Sequence, residues 1–208
     1  MSANFWSRAA ATYDADHSYI VGPDLISAIQ SALAEDVPHG DVVEFACGTG
    51  LFTRAYAPRC RSVTATDIST PMMAEAKKAL GALPNVVVQG ADATATGLPG
   101  QSADAVVAVN LLHIVPDPPA VLGEAHRLLR PGGVLIAVDA TSEGMSVPQL
   151  LFSAWRLIRR WGLASGGRNL SLKSLEALLR TAGFTPQEGR LLTGQAMNAS
   201  YVRGVKPG

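Results

Sequence analysis

The chain has 208 residues, 48% of them hydrophobic and 16% charged, with 17 Lys+Arg against 17 Asp+Glu. That balance leaves no global basic field for nucleic acid or an anionic membrane, and the length suits one domain with a sizeable core and little room for a second. Two cysteines outside any C-x-x-C pair speak against a disulfide framework or structural zinc; with neither a basic-then-apolar leader nor an apolar run of ~18 residues, the expectation is a soluble, unprocessed, cytoplasmic protein.

Ser7 to about Ser18 and Pro23 to about Glu35 are expected helices that precede the sheet. In the second, Pro23 stands early and Leu25, Ile26, Ile29 and Leu33 recur at helical spacing. From Asp41 the chain alternates: strand 41–46, helix from about Leu51, strand 62–67, helix 70–80, strand 85–90, strand 104–109, helix 119–130 and strand 133–139. Alternation of this kind means crossover connections and a parallel sheet. Near-continuous apolar strands such as Ala105-Val106-Val107-Ala108-Val109 mean that both sheet faces are covered. Arg130-Pro131-Gly132-Gly133 is a stop between a helix and the next strand. After Asp139 the spacing predicts an apolar helix at about 148–162, a flexible Ser165-Gly166-Gly167, and a helix at about 172–181 closed by Gly183. Two strands, about 185–192 and 197–204, follow without an intervening helix and so form an antiparallel edge hairpin.

The chemistry begins at Val42-Val43-Glu44-Phe45-Ala46-Cys47-Gly48-Thr49-Gly50, a buried strand running into a glycine turn. Asp67 ends the next strand 17 residues after Gly50, near the offset at which a carboxylate accepts from both ribose hydroxyls. Thr53 stands where a dinucleotide fingerprint needs a small residue, which weakens the NAD reading. Glu44 at the strand mouth would repel a diphosphate and suit a cationic ligand. The absence of G-x-x-x-x-G-K-[ST] excludes a P-loop. Asp92, in Gly90-Ala91-Asp92-Ala93, adds a third acidic strand end, placed to accept from an adenine amino group. Each carboxylate alone is equally consistent with a solvated group or a helix cap; together they define one edge of the sheet.

Over about residues 40–140 the sequence resembles the class I S-adenosylmethionine-dependent methyltransferases, in the subgroup that methylates small molecules, including quinone-type and lipid substrates. The residues that carry the likeness are Glu44 to Gly50, Asp67-Ile68-Ser69 with Met72, Gly90-Ala91-Asp92-Ala93, and Glu124 to Gly133. The resemblance implies an α/β doubly wound sheet of seven strands, order 3-2-1-4-5-7-6, mostly parallel with the last strand antiparallel. It also implies helices on both faces and an N-terminal helical lid. One domain would then span 1–208: lid 1–38, cofactor core 40–140, substrate-side insertion 141–170, and last helix with edge hairpin 171–208. S-adenosylmethionine would lie with its methionyl portion against Gly48 and Gly50, in a turn that includes Glu44, Ala46 and Cys47. Asp67 would hold its ribose, Ile68 and Met72 would flank its adenine, and Asp92 with Ala93 would read the adenine edge.

Methyl transfer is an in-line displacement, so the protein chiefly aligns reactants and excludes water. Asn110-Leu111-Leu112-His113 ends a strand where a parallel sheet opens to its ligand, and it is not the N/D-P-P-Y pattern of enzymes that methylate amino groups of bases or glutamine. Asn110 is read as lining the cofactor, and His113 either as a general base near neutral pH or as a packing residue at the loop entry. His126, within a helix, reads as a surface residue and Cys47 as a small turn residue. Tyr13, matching a Tyr-Asp pair of the resembling subgroup, and Tyr19 either meet the methyl group and acceptor or pack a helix onto the core. Asp139 and Asn110 only faintly echo a metal site, and no metal is expected. In the segment 147–161, Leu151, Phe152 and Trp155 either wall an apolar pocket or belong to an amphipathic lid packed on the N-terminal helices. Arg156, Arg159 and Arg160 are open to an anionic substrate, lipid headgroups or solvent.

The function expected is methylation of a small, apolar or aromatic acceptor. The variant within the class is a phospholipid or quinone precursor methylated at a membrane surface, which is not favoured. The rivals outside it are a nicotinamide-dependent oxidoreductase and a non-catalytic S-adenosylmethionine-binding regulator.

Overall fold

A computed structural model describes residues 3–162 and 167–208. Seven strands form one sheet in the order β3-β2-β1-β4-β5-β7-β6. In chain order they are β1 (Asp41–Phe45), β2 (Ser62–Asp67), β3 (Val86–Gly90), β4 (Ala103–Val109), β5 (Leu129–Thr141), β6 (Thr185–Thr193) and β7 (Asn198–Val205). The pairings from β3 through β5 are parallel, and β7 runs antiparallel to both β5 and β6. The expected topology, including the antiparallel last strand, is therefore the observed one.

Strand alternation builds two apolar layers. Val42, Val107, Ile136 and Tyr201 face one way and pack on Ile20, Leu25, Ile29 and Leu33. Val43, Val106, Leu135 and Val202 face the other way, onto Leu122, Leu128, Leu175 and Leu179. The helices that supply these faces are α2 (Tyr13–Val21) and α3 (Pro23–Asp36) on the first side, α6 (Pro118–Leu128) and α8 (Leu172–Thr181) on the second.

Three local departures have simple causes. The expected first helix is split into α1 (Ala3–Ala9), a 3-10 turn at Ala10–Thr12, and α2. Thr12 leaves helical backbone there (φ −116°), and its hydroxyl donates to Asp16 at 2.9 Å. The helix expected from Leu51 is only α4 (Thr53–Tyr56), because Pro58 turns the chain into a 3-10 segment. Arg130-Pro131-Gly132-Gly133 does end α6, but as an outward loop inside β5: Ala103 pairs with Leu129 and Ala105 with Val134. The remaining helices, α5 (Thr70–Leu80) and α7 (Val147–Trp161), fall where expected. Gly183 closes α8 with φ +88°. Ser165 and Gly166, expected to be flexible, lie outside the described residues.

Candidate active site

The strand order reverses between β1 and β4, and an open α/β sheet binds its ligand at such a point, at the carboxyl ends of the strands. Both central strands end there in strained backbone. Ala46, just past β1, has φ +51° and Asn110, just past β4, has φ +54°, a region that side-chain-bearing residues seldom adopt. Gly48 (φ +56°) and Gly50 (φ +81°) continue the turn after β1. A Cβ on Gly50 would come within 2.8 Å of Leu80, so the missing side chain lets α5 approach the turn.

Asp67 organises this turn. One carboxylate oxygen accepts from the backbone N–H of Gly48 at 2.9 Å and the other from that of Ser69 at 2.8 Å. Burial nonetheless holds its pKa above the ordinary carboxylate value. Ser69 then caps α5 by accepting from Met72 N at 3.4 Å. Asp92 is exposed and accepts from the Thr94 backbone N–H and hydroxyl, both at 2.8 Å.

A cavity of about 400 Å³ opens over these groups, lined by Ala46, Gly48, Asp67, Ile68, Met72, Asp92, Ala93 and Asn110 among others. Ile68 is 61% exposed on its wall, an apolar face suited to a planar ring. Asp67 and the neighbouring Ile68, with Asp92 on the same cavity, offer a carboxylate for a ribose and an apolar face for a planar ring. The residues present thus fit S-adenosylmethionine.

Three residues expected at the cofactor do not line this cavity. Glu44 is 2% exposed and turns beneath the glycine turn, where its carboxylate accepts from Thr53 Oγ1 at 2.5 Å and Tyr56 OH at 2.7 Å. The short helix after the turn supplies both donors, so the carboxylate is spent on structure and does not face a cationic ligand. Burial pushes its pKa up to about 7, against the two hydrogen bonds. Cys47 is buried, with its thiol pKa raised by burial and then by Glu44 and Asp67. Gly50 meets Leu80 instead of the cavity.

The second cavity, about 320 Å³, shares Trp6, Tyr13 and Asn110 with the first. Its apolar walls include Ile20, Val21, Leu150, Leu157 and Trp161, and its polar groups include His17, His113, Arg168 and Asn169. The N-terminal helices that close it are pinned to the glycine turn. Thr49 Oγ1 donates to Asp14 at 2.5 Å, Arg54 pairs with Asp14 at 3.0 Å, and Ser7 and Ser69 share a 3.0 Å hydrogen bond. Tyr13 stacks on His17 (5.4 Å between centroids) and on Trp161 (6.2 Å). Burial, with Asp14 and Asp67 nearby, raises its pKa far above that of a free phenol, so Tyr13 is a hydrogen-bond donor at neutral pH and no base.

The two histidines in this cavity are held in opposite roles. His113 Nδ1 lies 2.6 Å from Asp139 Oδ1, and the His113 backbone N–H reaches the same oxygen at 3.2 Å. Asp139 is fully buried on β5. Its carboxylate accepts the Nδ1 proton, which leaves the Nε2 lone pair as the basic site. Asn110 is oriented differently. Its Oδ1 accepts from Ala140 N at 3.2 Å, so its Nδ2 donates to His17 Nε2, also at 3.2 Å. Burial, opposed by Asp14 and assisted by His113, pushes the His17 pKa down to about 4. His17 is therefore neutral with its proton on Nδ1, and that atom has no partner among the described residues. Sequence reasoning missed His17, although it stands one helical turn after Tyr13 on the same face. It also gave Asp139 no catalytic part.

The substrate-side expectation needs correction. Leu151, Phe152 and Trp155 are 68%, 49% and 51% exposed and line neither cavity. Leu150, Ser153, Ala154, Leu157 and Trp161 of the same helix do. Tyr19 is also absent from both cavities; its ring carries the Arg156 guanidinium at 4.7 Å. His126 packs against Phe184, ring centroids 5.3 Å apart, away from both.

The strand order is that of the class I S-adenosylmethionine-dependent methyltransferase fold. Residues 43–137 match the family model described as a methyltransferase domain. It is 32% identical over 170 residues, 75% of its length, to the highly reducing polyketide synthase aurA of Calcarisporium arbuscula, and spans 7% of that protein. It is 28% identical over 158 residues to a malonyl-[acyl-carrier protein] O-methyltransferase of Serratia marcescens, covering 75% of this chain and 58% of that one. Among solved structures, an S-adenosylmethionine-dependent methyltransferase from Thermotoga maritima superposes with a TM-score of 0.73 at 22% identity, over 98% of this chain and 99% of the other. The chain thus spans less than a tenth of the first polyketide synthase it matches and just over half of the carrier-protein methyltransferase.

Proposed function

We propose that this chain methylates a small, largely apolar or aromatic acceptor seated in the 320 Å³ cavity. The observation that carries this reading is the wall of Trp6, Tyr13 and Asn110 common to both cavities, with His113 on the acceptor side. When bound, S-adenosylmethionine supplies an electrophilic methyl group on a sulfonium. Gly48, Asp67, Ile68, Met72, Asp92 and Ala93 bind and orient it, with Asn110 and Tyr13 at the boundary. Trp6, Tyr13 and Trp161 exclude water from the junction, where the two reactants need in-line alignment.

His113 Nε2 takes the proton that the acceptor loses, and Asp139 positions the ring and offsets the charge it gains. The Nδ1–H of His17 suits an acceptor oxygen on which negative charge develops. A base and a neutral donor in one cavity favour an acceptor whose reacting atom bears an acidic proton next to an oxygen. The polyketide synthase relatives favour the same chemistry, since a carbon flanked by acyl carbonyls carries an acidic C–H, whereas a malonyl carboxylate is already ionised and needs no base.

The test is incubation with methyl-labelled S-adenosylmethionine and a cell extract, with the labelled product identified by mass. A labelled small molecule that forms with the wild type and not with His113→Asn supports the reading. Cofactor binding with no labelled product, or label on nucleic acid or on protein side chains alone, overturns it.

A further inference from the structure

Helix α7 is apolar on two sides. Its inner side walls the acceptor cavity, as described above. Its outer side bears Val147, Leu151, Trp155 and Ile158, a stripe at helical spacing that is 69%, 68%, 51% and 46% exposed, with Phe152 beside it at 49%. Contiguous large apolar groups on a surface mark a place where something docks.

The charges beside the stripe narrow what that is. The helix has three arginines and no acidic residue. Arg160 is bound to the buried Asp16, its Nε at 2.6 Å, and the neighbouring Asp14 is already paired with Arg54. Arg156, half-buried, lies over the Tyr19 ring at 4.7 Å and the Phe152 ring at 5.0 Å, and the exposed Arg159 lies over the Trp155 ring at 5.4 Å. Neither has an ion-pair partner among the described residues. The outer face is therefore an aromatic and aliphatic stripe edged by two cations without counter-charges, in a chain of zero net charge. A second copy of the chain fits it badly, since a two-fold contact would set these arginines against their own counterparts.

We propose that the outer face of α7 docks on an anionic lipid bilayer. The helix lies in the interface with Leu151, Phe152 and Trp155 among the acyl chains and Arg156 and Arg159 at the headgroups. Among the described residues no helix is long and apolar enough to cross a membrane, so this contact is peripheral. Because the inner side of α7 walls the acceptor cavity, docking brings that cavity to the lipid boundary, where an amphiphilic acceptor partitions.

The experiment is co-sedimentation with vesicles of phosphatidylcholine alone and of phosphatidylcholine mixed with phosphatidylglycerol. The wild type is expected to pellet with the mixed vesicles and to be released by salt. Arg156→Gln with Arg159→Gln should weaken that partition about 25-fold, about fivefold for each charge removed. Leu151→Glu with Trp155→Glu should abolish it. Unchanged affinity for S-adenosylhomocysteine shows that both variants remain folded. No pelleting of the wild type with either vesicle, or equal pelleting of wild type and variants, overturns the proposal. So does a dimer that the Glu variant dissolves in the absence of any vesicle binding.

Discussion

The two halves of the double cavity are built from different material. The cofactor half consists of strand ends and one turn, fixed by backbone: Ala46, Gly48 and Gly50 at positive φ, and Asp67 tying two backbone N–H groups together. The acceptor half is made of side chains from α1, α2, α7 and the loops after β4 and β5. A backbone-built site tolerates little variation in sequence, whereas a side-chain-built one can be rewritten without disturbing the sheet. On the proposed reading, one half sets the reaction and the other sets what is methylated.

This division can be broken most forcefully on its rigid side. Asp67→Ala removes the acceptor of two backbone hydrogen bonds as well as the ribose contact. With two charge-assisted bonds to the ribose at about 1.5–3 kcal/mol each, S-adenosylhomocysteine affinity should fall on the order of 10²–10⁴-fold in a calorimetric titration. An unchanged affinity would mean that the nucleoside lies elsewhere.

On the acceptor side, His113→Asn should lower transfer to the labelled product on the order of 10²–10⁴-fold with cofactor affinity preserved. Asp139→Asn should follow it, because an amide no longer fixes the Nδ1 proton. A loss of cofactor affinity in step with activity would assign both residues to the wrong half.

The two faces of α7 give a sharper contrast. Ser153→Phe places a ring in the acceptor cavity and should suppress transfer at least tenfold, roughly the cost of a displaced apolar group. Leu151→Phe, on the outer face, should leave transfer within about twofold. Equal effects would mean that the inward and outward faces have been exchanged.

A further contrast is in stability against pH, where Glu44 and His17 act in opposite senses. The folded pKa of Glu44, about 7, lies above its unfolded value of 4.5, so its contribution is full below pH 4.5 and is lost as pH rises towards 7. The folded pKa of His17, about 4, lies below 6.5, so its contribution is full above pH 6.5 and is lost as pH falls towards 4. Between pH 4.5 and 6.5 the two slopes oppose. Thermal unfolding should therefore show Glu44→Gln gaining on the wild type as pH rises and His17→Asn gaining as pH falls. Parallel curves for all three proteins would refute both assignments.

The same division explains what could be read from the sequence. Gly48, Asp67 and Asp92 occupy consecutive strand ends, and a parallel sheet carries successive strand ends to one edge, so their chemistry survives translation into spacing. The sheet order and the edge hairpin were legible for the same reason. Glu44 was misleading because a charge at a strand end looks ligand-facing. The signal that it is not lies in Thr53 and Tyr56, two donors three residues apart on the next helix. For α7, the inward set 150, 154, 157, 161 and the outward set 147, 151, 155, 158 are both apolar at helical spacing. Periodicity alone could not choose between them. Trp6, His17 and Asp139 come from separate segments that only the fold brings together.

On the proposed reading, the residues common to both cavities, Trp6, Tyr13 and Asn110, frame the junction at which the cofactor meets its acceptor. A crystal structure with S-adenosylhomocysteine tests this reading most directly. The ribose hydroxyls should meet Asp67, with the sulfur at the Tyr13–Asn110 wall and directed towards the cavity that holds His113. A nucleoside away from Asp67, or a sulfur turned from that wall, would contradict the account.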